Sequence, residues 1–256
     1  MSQLQISVGS DKSIEEQIAR LKKNGLIIDD VNQANKTLSI ISYFRLASYW
    51  RPMEEKNQSR QFKPNSRFKN ALSLYYFDKE LRALIFSAIQ SIEIALRTKV
   101  IHSFSIMYGP FWFMDMSLYD SESKFLENLN AIDREIKRSK EDFIKEHFAK
   151  YNRPDFPPAW KTLELVSFGT LSKLYYNFSD NKIKKRIARE FNLPQHEVLE
   201  SWMRSISSLR NHCAHHSRVW NRYLNAAPQI SANLRGYWFS HSHLDSNKLY
   251  VVLGCK

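Results

Sequence analysis

LYYFDKELRALIFSAIQSIEIALRTKVIHSFSIMYGP, residues 74–110, is the stretch that decides the fold. Phe77, Leu81, Leu84, Ile85, Ala88, Ile89, Ile92, Ala95, Leu96 and Val100 recur at intervals of three and four, the spacing of one apolar face of an α-helix. No glycine or proline interrupts the run before Gly109-Pro110, a pair that stops a helix. The spacing predicts one long helix from Leu74 to about Met107. Glu93 falls on its apolar stripe, where a carboxylate needs a partner to offset the loss of water. Arg97, one turn later, is the nearest candidate, and Arg210, on another helix, is the second.

Upstream, residues 54–70 are polar and basic and read as a loop or hairpin. Before them, Tyr43-Phe44-Arg45-Leu46-Ala47-Ser48-Tyr49-Trp50-Arg51-Pro52 mixes aromatics with arginines. Such a segment either stacks bases and contacts phosphates, with Arg45 a candidate RNA-binding residue, or packs an arm onto a body. A helix is predicted after Asp29-Asp30 through Ala34, Leu38 and Ile41, and a shorter one carries Ile14, Ile18 and Leu21. Ser13 and Glu16 give the shorter helix a capping box, and Asn24-Gly25 ends it. Residues 1–10 read as a loose end. Together, residues 1–65 form an expected N-terminal helical arm and loop.

Downstream, Phe111-Trp112-Phe113-Met114 is an apolar patch. Residues 121–150 read as one charged helix with Phe125, Leu129, Ile132, Ile136, Phe143 and Phe148 on its inner face. The Pro154-Asp155-Phe156-Pro157-Pro158 segment breaks the chain. Trp160 to Phe178 is again apolar and helical, with a turn or a close approach expected at Ser167-Phe168-Gly169. Lys182, Lys184, Lys185, Arg186 and Arg189 follow, either as a solvated helix face or as a grip on a phosphate backbone. Nothing resembles alternating strands and helices, and no repeat appears. The expected architecture is all-α, a bundle of several long helices, with residues 66–256 as its main domain.

The 256 residues suffice for a sizeable core, and 43% hydrophobic content excludes a disordered chain. The formal net charge of +12 favours an anionic partner, nucleic acid first and an anionic membrane surface second, against the alternative of a basic protein with no polyanion partner. Cys213 and Cys255 make neither a disulfide framework nor a CxxC pair, which predicts a reducing cytoplasm. MSQLQISVGSDKSIEEQ lacks the apolar core of a signal peptide, and no run of apolar residues is long enough to span a membrane.

Chemistry concentrates in Leu209-Arg210-Asn211-His212-Cys213-Ala214-His215-His216, where three histidines, an arginine and an asparagine crowd together. Leu199, Trp202, Ile206, Leu209 and Cys213 form one apolar helical stripe leading into it. At about 100° per residue, Asn211 and His215 share a face, His216 returns toward the stripe, and Arg210 stands about 140° from His215. One regular helix cannot close that pair, whereas two copies related by a two-fold axis can bring both sets into one groove. Zinc on His212 and His216 needs a third ligand, and position 213 is Cys where an HExxH motif has Glu. Cys213 as nucleophile is disfavoured on a buried stripe. A third alternative is a simple cap, cations at the negative end of the helix dipole. The fourth is RNA cleavage without metal: a histidine takes the 2′-hydroxyl proton, Arg210 holds the phosphate, and Asn211 orients the histidine or binds a phosphate oxygen.

Arg210-Asn211-x-x-x-His215 resembles the R-x4-6-H signature of the HEPN superfamily. The longer run from Trp202 through Arg210-Asn211-His212-Cys213-Ala214-His215-His216 to Trp220-Asn221-Arg222 resembles bacterial abortive-infection proteins of the Abi-D/Abi-F type (the Abi-2-like family). Tyr43 to Trp50, the Ile92-Glu93-Ile94-Ala95-Leu96-Arg97 block, and Pro158-Ala159-Trp160 with Glu164 and Ser167-Phe168-Gly169 agree with the same family, in order. The resemblance implies an all-α HEPN core that dimerises through its motif helices, a role in phage defence, and either ribonuclease activity or the holding of a small structured RNA. It implies Arg210, Asn211 and His215 as site residues, and His216 matches a second histidine common in the family. The expected ends are a 2′,3′-cyclic phosphate and a 5′-hydroxyl, no cofactor is expected, and an antitoxin or regulatory RNA would keep the activity silent. Relatives usually continue with further helix beyond a segment like Lys248 to Leu253. A shortened C-terminus would leave Leu249 to Leu253 poorly buried.

Overall fold

The structure is a computed structural model that describes residues 13–56, 60–230, 245 and 247–254. The loose end at 1–10 and Cys255 lie outside the described residues. Among the described residues every regular element is helical, and extended pairing is limited to isolated bridges such as Glu54 with Phe62. The chain is all-α. By packing it forms two compact units, Met1–Arg82 and Ala83–Lys256; the expected arm at 1–65 lies inside the first.

The N-terminal unit holds α1 (Ile14–Lys23), α2 (Val31–Ile41), α3 (Tyr43–Trp50) and the first part of α4 (Phe68–Tyr108). Ser13 and Glu16 close a full capping box on α1, and the Asp30 carboxylate accepts from Gln33 N–H at the start of α2. Ile18, Leu21, Ala34, Leu38, Leu46, Tyr49 and Trp50 share one core. Tyr49 gives its hydroxyl to Asp78 at 2.7 Å, and Asp78 also pairs with buried Arg82. Most of the Tyr43–Trp50 segment therefore packs inward, and Phe44 and Arg45 face solvent.

α4 begins six residues earlier than its apolar stripe announces, because Phe68, Ala71 and Leu72 are already buried in the N-terminal core. Ile85, Ile89, Leu96 and Val100 are buried as expected, while Phe77 and Leu84 are exposed, Leu84 at 72%. The buried line instead continues through Ile101 and Phe104.

The C-terminal unit continues with α5 (Glu122–Arg138), α6 (Asp142–Lys150), α7 (Ala159–Thr162), α8 (Phe168–Asn177), α9 (Asn181–Glu190), α10 (His196–Ala214) and α11 (Leu249–Leu253). The charged helix expected over 121–150 is two helices. Ser139 turns extended after α5, and its hydroxyl accepts from Glu141 N–H, a local bond that competes with helix continuation. The inner face of α6 is Ile144 and His147, not Phe148. The Trp160–Phe178 run is also divided, with Ser167 as the N-cap of α8. Gly169 sits so close to α10 that a Cβ there would stand 3.2 Å from Ser207 Oγ, a tight contact that the absence of a side chain avoids.

α10 is the axis of this unit, packed against α8, α9 and α11. All five stripe residues from Leu199 to Cys213 are buried, and so are Val198, Met203, Ser205 and Ser207 on its other sides. Phe104 from α4 stacks on Phe178 at 4.2 Å and meets Trp112 edge-on at 4.7 Å. The chain after α10 returns along it, with Trp202 Nε1 donating to Gln229 O and Gln229 N–H donating to Ser201 Oγ. In α11, Val251 and Val252 are buried, and the helix packs against α10, whereas Leu249 and Leu253 are half-buried and Tyr250 is exposed; the poor burial expected for Leu249 to Leu253 is thus not found at Val251 and Val252. No helix among the described residues is long and apolar enough to cross a membrane.

Candidate active site

The site begins with how α10 stops. His215 is its C-cap and donates its N–H to Asn211 O at 3.0 Å, which keeps it on the helical winding one turn after Asn211. His216 then takes a left-handed φ of 54°. Its N–H reaches Cys213 O, and Ser217 N–H reaches His212 O at 2.9 Å. These two bonds form a Schellman motif, which satisfies carbonyls that a helix end leaves bare. His216 therefore leaves the winding and does not return toward the apolar stripe, as a regular helix would have it. His212 and His216 are not stacked one turn apart, so the i, i+4 zinc geometry is not built here. Among the described residues no group of three or more His, Cys, Asp or Glu side chains is arranged to hold a metal ion.

Arg210 faces α4. Its guanidinium carbon lies 5.7 Å from the Phe86 ring centre, and its Nε is 3.9 Å from Glu93 Oε2. That separation is an ion pair at its outer limit, too long for a hydrogen bond, and the buried Nε has no hydrogen-bond partner. Glu93 Oε1 accepts from Arg97 Nη2 at 2.8 Å, and Arg97 also donates to Leu163 O. Both expected partners of Glu93 are thus present, the intrahelical one tight and the one across helices loose. Arg97 is buried, whereas a third of the Arg210 side chain reaches solvent. Glu93 and the Phe86 ring thus flank the Arg210 side chain, a third of which reaches solvent.

Asn211, His215 and His216 are exposed, and His212 is half-buried beside them. Burial lowers the His212 pKa, and the charge of the neighbouring Arg222 lowers it further. His212 is accordingly neutral near pH 7. Arg222 comes from the segment after the helix, where its Nη1 donates to Arg218 O at 3.2 Å. Cys213 is buried, an environment that disfavours a thiolate.

Phe86, His212 and Arg222 complete this neighbourhood, and the sequence did not single them out as parts of an RNA-cleaving site. Phe86 carried a signal, since it stands seven residues before Glu93 and so on the same face of α4. Arg222 carried none, because its place depends on the turn after α10.

The five basic residues of α9 separate. Lys182, Lys185, Arg186 and Arg189 are exposed, whereas Lys184 is buried and pairs with Glu200 of α10 at 2.9 Å. Its own carbonyl accepts from the Tyr175 hydroxyl at 3.1 Å. Lys184 is an internal pin between α8, α9 and α10, not part of the basic surface. Arg45 is exposed on α3 of the N-terminal unit.

Compared with known proteins, residues 36–221 match the model of a family described as Abi-like protein. No curated protein and no solved structure matches.

Proposed function

The chain belongs to the Abi-like protein family, which makes it an Abi-type abortive-infection protein, and on that premise we propose a phage-defence ribonuclease of the HEPN kind that cuts RNA without metal. The observation that carries this reading is the anchored Arg210, held by Glu93 and Phe86 beside a helix end that presents Asn211 and His215 to solvent. A neutral imidazole, His215 or His216, takes the proton from a ribose 2′-hydroxyl. The 2′-oxygen bonds to the adjacent phosphorus, the bond to the 5′-oxygen breaks, and that oxygen leaves with a proton from a histidinium. Arg210 stabilises the extra negative charge of the five-coordinate phosphorus. The products are a 2′,3′-cyclic phosphate and a 5′-hydroxyl. Two α10 helices across a two-fold axis would join Arg210 of one copy to His215 of the other.

Cleavage of RNA in EDTA tests the reading, with the cyclic phosphate identified on the product. Arg210→Ala with His215→Ala should abolish cutting in a protein that remains folded. A folded double variant that cuts at the wild-type rate would refute the assignment. The second reading, an effector that holds a small structured RNA without cutting it, is favoured by the four exposed cations of α9. Its mark is a discrete bound RNA that survives prolonged incubation.

A further inference from the structure

A pocket of about 280 Å³ opens within the N-terminal unit, near the lower end of the roughly 300–1,000 Å³ typical of small-molecule sites. Three arginines line it, each from a different segment: Arg20 from α1, Arg51 from the turn after α3, and Arg60 from the following loop. Glu54 is the one carboxylate in the lining. No run of basic residues announces this cluster; the fold gathers it. Three guanidinium groups against one carboxylate give the cavity a net positive lining that favours an anion. Arg20 and Glu54 both act on the Tyr43 hydroxyl, and Arg51 acts on Glu54, so Arg20, Arg51 and Glu54 belong to one electrostatic neighbourhood.

The aromatic part of the lining is equally specific. Tyr43 sits edge-on against buried Trp50 at 5.0 Å, so it is fixed as a wall. Phe44, next in the chain, also lines the pocket and is 62% exposed. An open phenyl ring beside arginine forks offers a π-face to a base and paired donors to a phosphate.

We propose that this pocket binds one nucleoside phosphate, with the phosphate held by Arg20, Arg51 and Arg60 and the base laid against Phe44. The site is independent of the Arg210–His215 reading, because it uses none of those residues. Arg45, on the same helix as Phe44, does not line it. The nucleotide has two possible sources, a free mononucleotide or the phosphorylated 5′-end of an RNA chain.

Calorimetric titration of the full-length chain separates them. The probes are AMP and UMP, a 2′-O-methylated RNA hexamer with a 5′-phosphate, and the same hexamer with a 5′-hydroxyl. The methyl groups remove the attacking hydroxyl, so cutting cannot confuse the result. Binding of a mononucleotide supports the proposal with the free nucleotide as source, and binding of the 5′-phosphorylated hexamer alone supports it with the chain end as source. In either case Arg20→Ala and Arg51→Ala should each weaken binding by about tenfold or more, and Phe44→Ala by about fivefold or more. Arg20→Lys, which keeps the charge and loses the fork, should also bind more weakly while its circular dichroism matches the parent. The proposal is overturned if no probe binds, if the arginine variants bind as the parent does, or if no mononucleotide binds and the 5′-hydroxyl hexamer binds as tightly as its phosphorylated twin.

Discussion

Individual side chains at the end of α10 carry opposing demands. A histidine at φ 54° costs about 1–2 kcal/mol relative to a right-handed conformation, and glycine would cost nothing there. His216→Gly should therefore raise stability, by about 0.5–1 kcal/mol after the extra freedom of glycine in the unfolded chain is counted. Denaturant unfolding measures it, and a loss of stability would show that the His216 side chain contributes more than its backbone costs. Glu93 presents the reverse case, serving both Arg97 and Arg210. Glu93→Ala leaves buried Arg97 with only the Leu163 carbonyl and should cost about 2–3 kcal/mol. Glu93→Gln, which keeps an acceptor for Arg97, should cost clearly less by the same measurement.

Whole helices show how far the sequence could be read. The capping box of α1, the buried stripe of α10 and the close approach at Gly169 were legible because each rests on local chemistry. The division of residues 121–150 was not, since neither glycine nor proline marks it and Ser139 makes the break with one side-chain bond. Phe77 and Leu84 misled for a different reason: α4 is 41 residues long, and a three-and-four spacing fits more than one of its faces. In the site, Glu93 pairs tightly with Arg97, the nearer of its two candidates, and only loosely with Arg210, while the left-handed turn at His216 has no signature in a residue other than glycine or asparagine. Lys184 is the sharpest case, since a run of five cations reads as a single surface and only packing reveals one of them as interior. Lys184→Ala should strand Glu200 and cost about 3 kcal/mol. Lys182, Lys185, Arg186 and Arg189, changed singly to Ala, should leave stability within about 0.5 kcal/mol. If α9 contacts RNA, each of those four should instead lower the salt dependence of binding by about one counterion.

At the scale of the molecule, burial lowers the pKa values of His147, His196 and His212 in the C-terminal unit. The unfolded chain then takes up their protons more readily than the folded one, from about the reference value of 6.5 downward. Their contribution is fully present above pH 6.5 and is lost as the pH falls through the lowered values. The denaturation midpoint should drop between pH 7.5 and 5.5, and His147→Asn should shrink the drop. The function proposed for the whole chain is then a question of what it does to RNA. Incubation of purified protein with RNA in EDTA, with the ends of the products identified, is the most direct measurement. The account predicts 2′,3′-cyclic phosphate and 5′-hydroxyl ends from the wild type and none from the folded Arg210→Ala/His215→Ala variant. Intact RNA with the wild type, or equal cutting by both proteins, would contradict it.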